Sequence, residues 1–130
     1  MKHNLAVIGL GSNIDPEKNT RKARKAIEST FNLKGASSFV KTEPVGFEDQ
    51  PKFINGAVLI ETVMGYDELK NCLRVIEKEL GRVRTENKDG PRTIDLDILV
   101  WNGEIVDEEV FERPFLKKSV RELLPDIDLV

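Results

Sequence analysis

Leu5, Ala6, Val7 and Ile8 form an unbroken apolar run up to Gly9 and Gly11, which predicts a strand buried on both faces. Asp15 followed by Pro16 predicts a helix start, an N-cap acceptor and then proline at the first helical position. Ala23, Ala26, Ile27 and Phe31 recur at helical spacing opposite a Lys/Arg face, and Gly35 is expected to close this helical region. Ser37 to Thr42 reads as a second strand, and Pro44 to Pro51 as a loop of prolines, glycine and polar residues. Ile54 to Val63 predicts a third strand, broken at Met64-Gly65. Tyr66, Leu69, Leu73, Ile76 and Leu80 then mark an amphipathic helix that ends at Gly81.

A long polar loop follows over Arg82 to Arg92, then a fourth strand from Thr93 to Trp101. Asn102-Gly103 is a hairpin signal into a short strand over Glu104 to Val106, and Lys117 to Leu124 reads as a last helix stopped by Pro125. The order strand, helix, strand, strand, helix, strand is that of a ferredoxin-like α+β sandwich (βαββαβ), here with a C-terminal hairpin and short helix. Long loops in so small a domain are expected to be functional.

The fourth strand carries the sharpest chemical signal. Alternation along Ile94-Asp95-Leu96-Asp97-Ile98-Leu99-Val100 puts Ile94, Leu96, Ile98 and Val100 on a core face and both aspartates on the other, about 6.5–7 Å apart. Two ionised carboxylates at that distance repel by about 2.5 kcal/mol at an effective dielectric of about 20. A hard divalent cation would offset this, since Mg²⁺ takes one or two carboxylates and completes its shell with phosphate oxygens and water. The plain alternative is a pair that faces solvent or nearby lysines. Arg82, Arg84, Lys88 and Arg92 surround Gly90-Pro91 just before the pair. Guanidinium forks beside a metal pair suit a polyphosphate. The same loop could instead merely balance Glu77, Glu79 and Glu86.

Other motifs decide less. Gly9-Leu10-Gly11-Ser12-Asn13 follows a strand and precedes a helix, yet lacks the third glycine of a dinucleotide site, and there is no Walker A sequence. Phe53 could stack on a flat heterocycle while Asn55 reads its edge; equally, Phe53 could be core and Asn55 an ordinary polar residue at a strand start. His3 stands near the terminus, away from these features.

Composition narrows the classes. A chain of 130 residues fits a single domain over 1–130. A net charge of −3 disfavours a general nucleic-acid binder. Cys72 is the single cysteine, so no internal disulfide can form, and its apolar neighbours suggest a buried, inert thiol. The apolar run at Leu5 to Leu10 is too short for a signal-peptide core or a bilayer span, so the chain is expected to be cytoplasmic, with no membrane partner.

Taken together the segments resemble the 6-hydroxymethyl-7,8-dihydropterin pyrophosphokinase family of folate biosynthesis, from about Leu5 to Pro125. The strongest piece is Gly81-Arg82-Val83-Arg84 through Gly90-Pro91-Arg92-Thr93-Ile94-Asp95-Leu96-Asp97-Ile98. It is supported by Gly9 to Asn13, Thr42-Glu43-Pro44-Val45-Gly46, and Gln50 to Ala57. The resemblance implies a monomeric transferase that moves pyrophosphate from ATP to the hydroxymethyl group of a small pterin, with two Mg²⁺ ions on Asp95 and Asp97. It implies that Arg82 and Arg92 act on the phosphates, and that Arg74, Glu77, Arg84, Ile98 and Arg121 lie around the nucleotide. The pterin would sit near Thr42, Pro44, Val45, Gly46, Phe53 and Asn55, with Leu123 where the family places a second aromatic. Arg74 stands where the family usually has an amide, Phe115 where it has a histidine, and Asp89 where it often has an aromatic. Arg92, close to the pair, is expected to hold phosphate in the ground state, and Arg82, at a hinge, to arrive late. A related pyrophosphokinase for another heterocycle, or a silent ferredoxin-like binding module, are the alternatives.

Overall fold

The computed structural model describes residues 2–83 and 90–129. Its elements run β1 (Asn4–Ser12), α1 (Pro16–Thr30), β2 (Asn32–Ala36), β3 (Val40–Thr42), β4 (Phe53–Thr62), α2 (Tyr66–Glu79), β5 (Asp95–Trp101), β6 (Glu104–Ile105), α3 (Glu109–Glu112) and α4 (Pro114–Leu123). All pairings are antiparallel, in the order β2-β4-β1-β5-β6, with β3 continuing along β4 beside β2. Taken as one interrupted strand, β2 and β3 give the ferredoxin-like order expected of the chain.

Each face of the sheet has its own core. Ala6, Ile8 and Leu10 of β1 and Leu96 and Ile98 of β5 meet Ala23 and Ile27 of α1 and Leu69, Leu73 and Ile76 of α2. Val7, Ala57, Leu99 and Val100 meet Val110 of α3, Leu116 and Val120 of α4, and Leu129. Val7 and Ile8 thus bury both faces of β1, whereas Leu5, at the open end of the strand, stays exposed.

Several local expectations shift. The first helix stops at Thr30, five residues short of Gly35, and Asn32 already pairs with Glu61. Gly35 is therefore a strand residue, next to a bulge at Lys34, not a helix stop. Thr30 Oγ1 donates back to the Ala26 carbonyl, 2.7 Å away, which favours ending the helix there. Asp15 sits at the N-cap but in the left-handed region (φ 42), and its side chain makes no cap bond. Val100 leaves the face of Ile94, Leu96 and Ile98, because the pairings Val7–Val100 and Ile8–Ile98 leave Leu99 as an extra, bulged residue. The last helix begins at Pro114 rather than Lys117, with Pro at its first turn, after the unexpected short α3. Gly81 (φ 94) closes α2 as expected, with Gly81 N–H donating to Lys78 O and Arg82 N–H to Glu77 O. Asn102 and Gly103 turn the hairpin, both with positive φ. Cys72 is only half-buried, and burial followed by the charge of Glu79 pushes its thiol up.

Candidate active site

The cleft lies on the sheet face that α3 and α4 leave partly open. Its floor is made by an absence of side chains. Gly11 of β1 pairs with Asn55 of β4 on one side and Asp95 of β5 on the other; Gly9 pairs with Ala57 and Asp97. A Cβ on Gly11 would stand 2.5 Å from Asn55 Oδ1, and one on Gly9 would stand 3.1 Å from Leu99 Cδ1. The glycines therefore open a trough between the amide and the carboxylates, a role the two-glycine motif did not suggest.

Around this trough the structure gathers Thr42, Glu43, Val45, Phe53, Asn55, Arg92, Asp95 and Asp97, with Asp107, Glu109, Arg113, Phe115 and Leu116 on the facing wall. Asn55 Nδ2 donates to Thr42 Oγ1 at 2.6 Å, which orients the amide. Phe53 is nearly buried and carries the Arg92 guanidinium 5.1 Å above its ring centre. Arg92 is held by its backbone: its N–H donates to Asn13 Oδ1 at 2.8 Å, and Asn13 N–H donates to its carbonyl at 3.1 Å. The Asn13 amide also donates to Gln50 Oε1 and the Pro51 carbonyl. A buried asparagine after a strand has no sequence signal that marks it as the joint between two loops.

Asp95 and Asp97 share a face, as alternation required, but guanidinium groups hold them. Arg82 Nη1 donates to Asp95 Oδ1 at 2.8 Å and to the Ile94 carbonyl at 2.9 Å, and Arg92 lies 3.5 Å from Asp95 Oδ2. Arg82, expected to reach the phosphates late, thus rests on the Asp95 carboxylate. Arg74 Nη2 lies 3.4 Å from Asp97 Oδ1. Burial first, then the charge of Asp95, pushes the Asp97 carboxyl up to about 7, and a shared hydrogen bond with Asp95 favours the proton further. Burial, then Asp107, likewise raises Glu109, against the pull of Arg113.

A second cavity adjoins the first and shares Asp97, Asp107 and Glu109 with it. It is bounded by Tyr66, Lys70, Leu73, Arg74, Leu96 and Ile98, and rimmed by Glu108 and Glu112. Arg74 and Ile98 thus reach it. Glu77 is 2% exposed and points inward, where its Oε2 accepts the Leu96 N–H at 2.7 Å and an Arg74 N–H at 2.9 Å. Its described contacts fix β5 to α2.

Two expected residues fall elsewhere. Arg121 lies on the outer face of α4 with Lys117 and Lys118, because Leu116, Ser119 and Val120 take the inner face. Leu123 packs beneath Gly35 and belongs to the second core, so it is no wall of the cleft. Phe115 and Leu116, in the first turn of α4, line the cleft instead. Pro44 is buried and Gly46 turns the loop with φ 88; neither is among the residues lining the cavity. Arg84, Glu86, Lys88 and Asp89 lie outside the described residues.

The donors fit a hard divalent cation. Both are carboxylates, and Asp97 ionises near neutrality, where a cation can displace its proton. Among the described residues no group of three or more His, Cys, Asp or Glu is placed to hold a metal.

An antiparallel ferredoxin-like sheet carries an aspartate pair in one cleft, and Asp97 of that pair also borders a second, an arrangement in keeping with a small transferase. The chain belongs to the 7,8-dihydro-6-hydroxymethylpterin-pyrophosphokinase family, whose model matches residues 7–125. It is 39% identical to the 2-amino-4-hydroxy-6-hydroxymethyldihydropteridine pyrophosphokinase of Bacillus subtilis, over 97% of this chain and 81% of that protein. It is 40% identical to the protein of the same name from Haemophilus influenzae, over 92% of this chain and 76% of that one. It is also 35% identical to the folate synthesis bifunctional protein of Arabidopsis thaliana, over 95% of this chain and 28% of that longer protein. The alignment to the Bacillus protein spans 137 positions, more than this chain possesses, so that relative has residues without a counterpart here.

Proposed function

We propose that the chain transfers a pyrophosphoryl group from ATP to the hydroxymethyl oxygen of 6-hydroxymethyl-7,8-dihydropterin, releasing AMP. The observation that carries this reading is Asp97, which borders both clefts, with Asp95 beside it in the first. One cleft offers a ring surface and an oriented amide from Phe53, Asn55 and Thr42, which suits a flat, hydrogen-bonding heterocycle. The other, walled by Leu73, Arg74 and Ile98, suits a nucleotide base. A phosphate chain running between them would pass the aspartate pair and Arg92.

Two Mg²⁺ ions would be held by Asp95 and Asp97, and when bound they supply charge neutralisation along the phosphates. The chain's own groups do the rest. Asn55 and Thr42 orient the pterin edge, and Phe53 supports its face. Phe115 takes the place at the cleft wall that Leu123 does not reach. Arg92, stacked on Phe53 and pinned by Asn13, presents a fixed fork to the phosphates. Arg82 would have to transfer its donors from Asp95 and the Ile94 carbonyl to phosphate. Arg84 belongs with these groups through the family motif. Among the described residues no helix is long and apolar enough to cross a membrane. A monomer in the cytoplasm is the reading in keeping with small-molecule substrates.

The test is turnover of ATP to AMP with and without hydroxymethyl-dihydropterin. Pterin-dependent AMP release is expected, and Asp95→Ala or Asp97→Ala should lower it by more than about a hundredfold while the fold survives. AMP release with a different hydroxymethyl heterocycle alone would favour the related-kinase reading. Nucleotide binding without turnover would favour a silent module.

A further inference from the structure

Arg74 projects from α2 across the end of β5. Its Nη1 donates to the Leu96 carbonyl at 2.8 Å and to Glu77 Oε2 at 2.9 Å. Glu77 is itself anchored by the Leu96 N–H. One guanidinium nitrogen is thus fixed by backbone and a buried carboxylate. The other is left facing Asp97 Oδ1, 3.4 Å away. A neutral amide could reach one of these partners but would bring no charge, and a lysine ammonium lacks the planar fork that serves both directions.

Fixed in this way, the cation stays beside Asp97 when the cleft is empty. Asp95 has its own partners in Arg82 and Arg92, so both carboxylates meet positive charge supplied by the chain. Burial opposes the charge on Arg74, yet Glu77 and Asp97 outweigh it and hold the guanidinium firmly protonated.

We propose that Arg74 is a built-in counter-cation of the aspartate pair, competing with divalent metal at Asp97 and thereby raising the metal concentration this chain requires. The inference rests on the pyrophosphoryl-transfer reading of the site. Arg74 acts here as a positioning residue, through Asp97, and it makes metal occupancy depend on the arrival of nucleotide phosphates that bring negative charge of their own.

The experiment is a calorimetric titration of Mg²⁺ into the nucleotide-free chain, with parent and variant at the same pH. Arg74→Gln should bind Mg²⁺ about tenfold more tightly than the parent, since a positive charge within a few ångströms of the ion is removed. Arg21→Gln, the same charge loss on the far surface of α1, should leave the affinity unchanged. The Mg²⁺ concentration for half-maximal turnover should fall in Arg74→Gln. Unchanged or weaker Mg²⁺ binding in a folded Arg74→Gln chain overturns the proposal. Should that variant fail to fold, Arg74→Met, which keeps the apolar stem, gives the same comparison. If neither parent nor variant bound Mg²⁺, even with a non-hydrolysable ATP analogue, the metal pair itself would be wrong and the functional reading would fail with it.

Discussion

Asp97 carries its proton to about pH 7, chiefly because it is buried and then because Asp95 is beside it. In the unfolded chain the same carboxyl ionises near pH 3.9. Between those values the folded protein binds a proton that the unfolded chain has lost. Stability therefore falls as pH rises from about 4 to 7, and levels off above. The side chain is 37% exposed, so solvent screening limits the effect to about 1–2 kcal/mol. Thermal melts without ligand should show Tm dropping by several degrees between about pH 5 and pH 8. Asp97→Asn should shrink that drop, leaving the smaller contribution of the likewise raised Glu109. A pH-independent parent melt would contradict the placement of Asp97. Arg82 presents a different case. With its side chain 12% exposed, it bridges Asp95, the Ile94 carbonyl and the nearby Glu77. Arg82→Ala should lower kcat by about two to four powers of ten, roughly 3–5 kcal/mol. It should also cost about 2–4 kcal/mol of stability, because it strips a partner from carboxylates held away from water. Single-turnover kinetics beside chemical denaturation separates the two losses.

At the scale of elements, the site depends on β1 lying between β4 and β5 with glycine at two successive outward positions. Gly11→Ala would place its Cβ against Asn55 Oδ1. The flexible amide can yield, so the sheet should survive while the Asn55–Thr42 bond is lost. Pterin affinity is expected to fall by about tenfold, the worth of one hydrogen bond, with ATP affinity nearly unchanged. Equal loss of both affinities, measured by equilibrium binding, would mean that Gly11 supports the strand and not the pterin edge. The helices were legible from apolar spacing because their inner faces repeat every three or four residues. The break between β2 and β3 was not. Gly35 has the composition of a helix stop, and only pairing with β4 makes its segment a strand.

Across the whole molecule, Asn13 ties the loop before β4, through Gln50 and Pro51, to the residue that precedes the aspartate strand, Arg92. Asn13→Ala should loosen both at once, raising amide exchange in the segments around Pro51 and Arg92 and lowering kcat/KM about tenfold or more. In the parent, exchange in the loops Pro44–Pro51 and Arg82–Arg92 should slow when nucleotide and pterin bind. Exchange that rose at one segment alone in Asn13→Ala would show that the loops are not coupled through it. The sequence by itself determined the order of the main strands and helices, the shared face of Asp95 and Asp97, and the residues of the family motif, because each of these is written in spacing along one stretch of chain. Tertiary structure alone decided that Gly9 and Gly11 form a trough, that Asn13 joins two loops, and that Arg74 faces Asp97. It also turned Arg121 and Leu123 away from the cleft in favour of Phe115. The physical reason is register: which side chains meet across neighbouring strands, and how an inserted residue such as Leu99 flips a face, is settled by pairing between distant segments and leaves no periodic trace in either one.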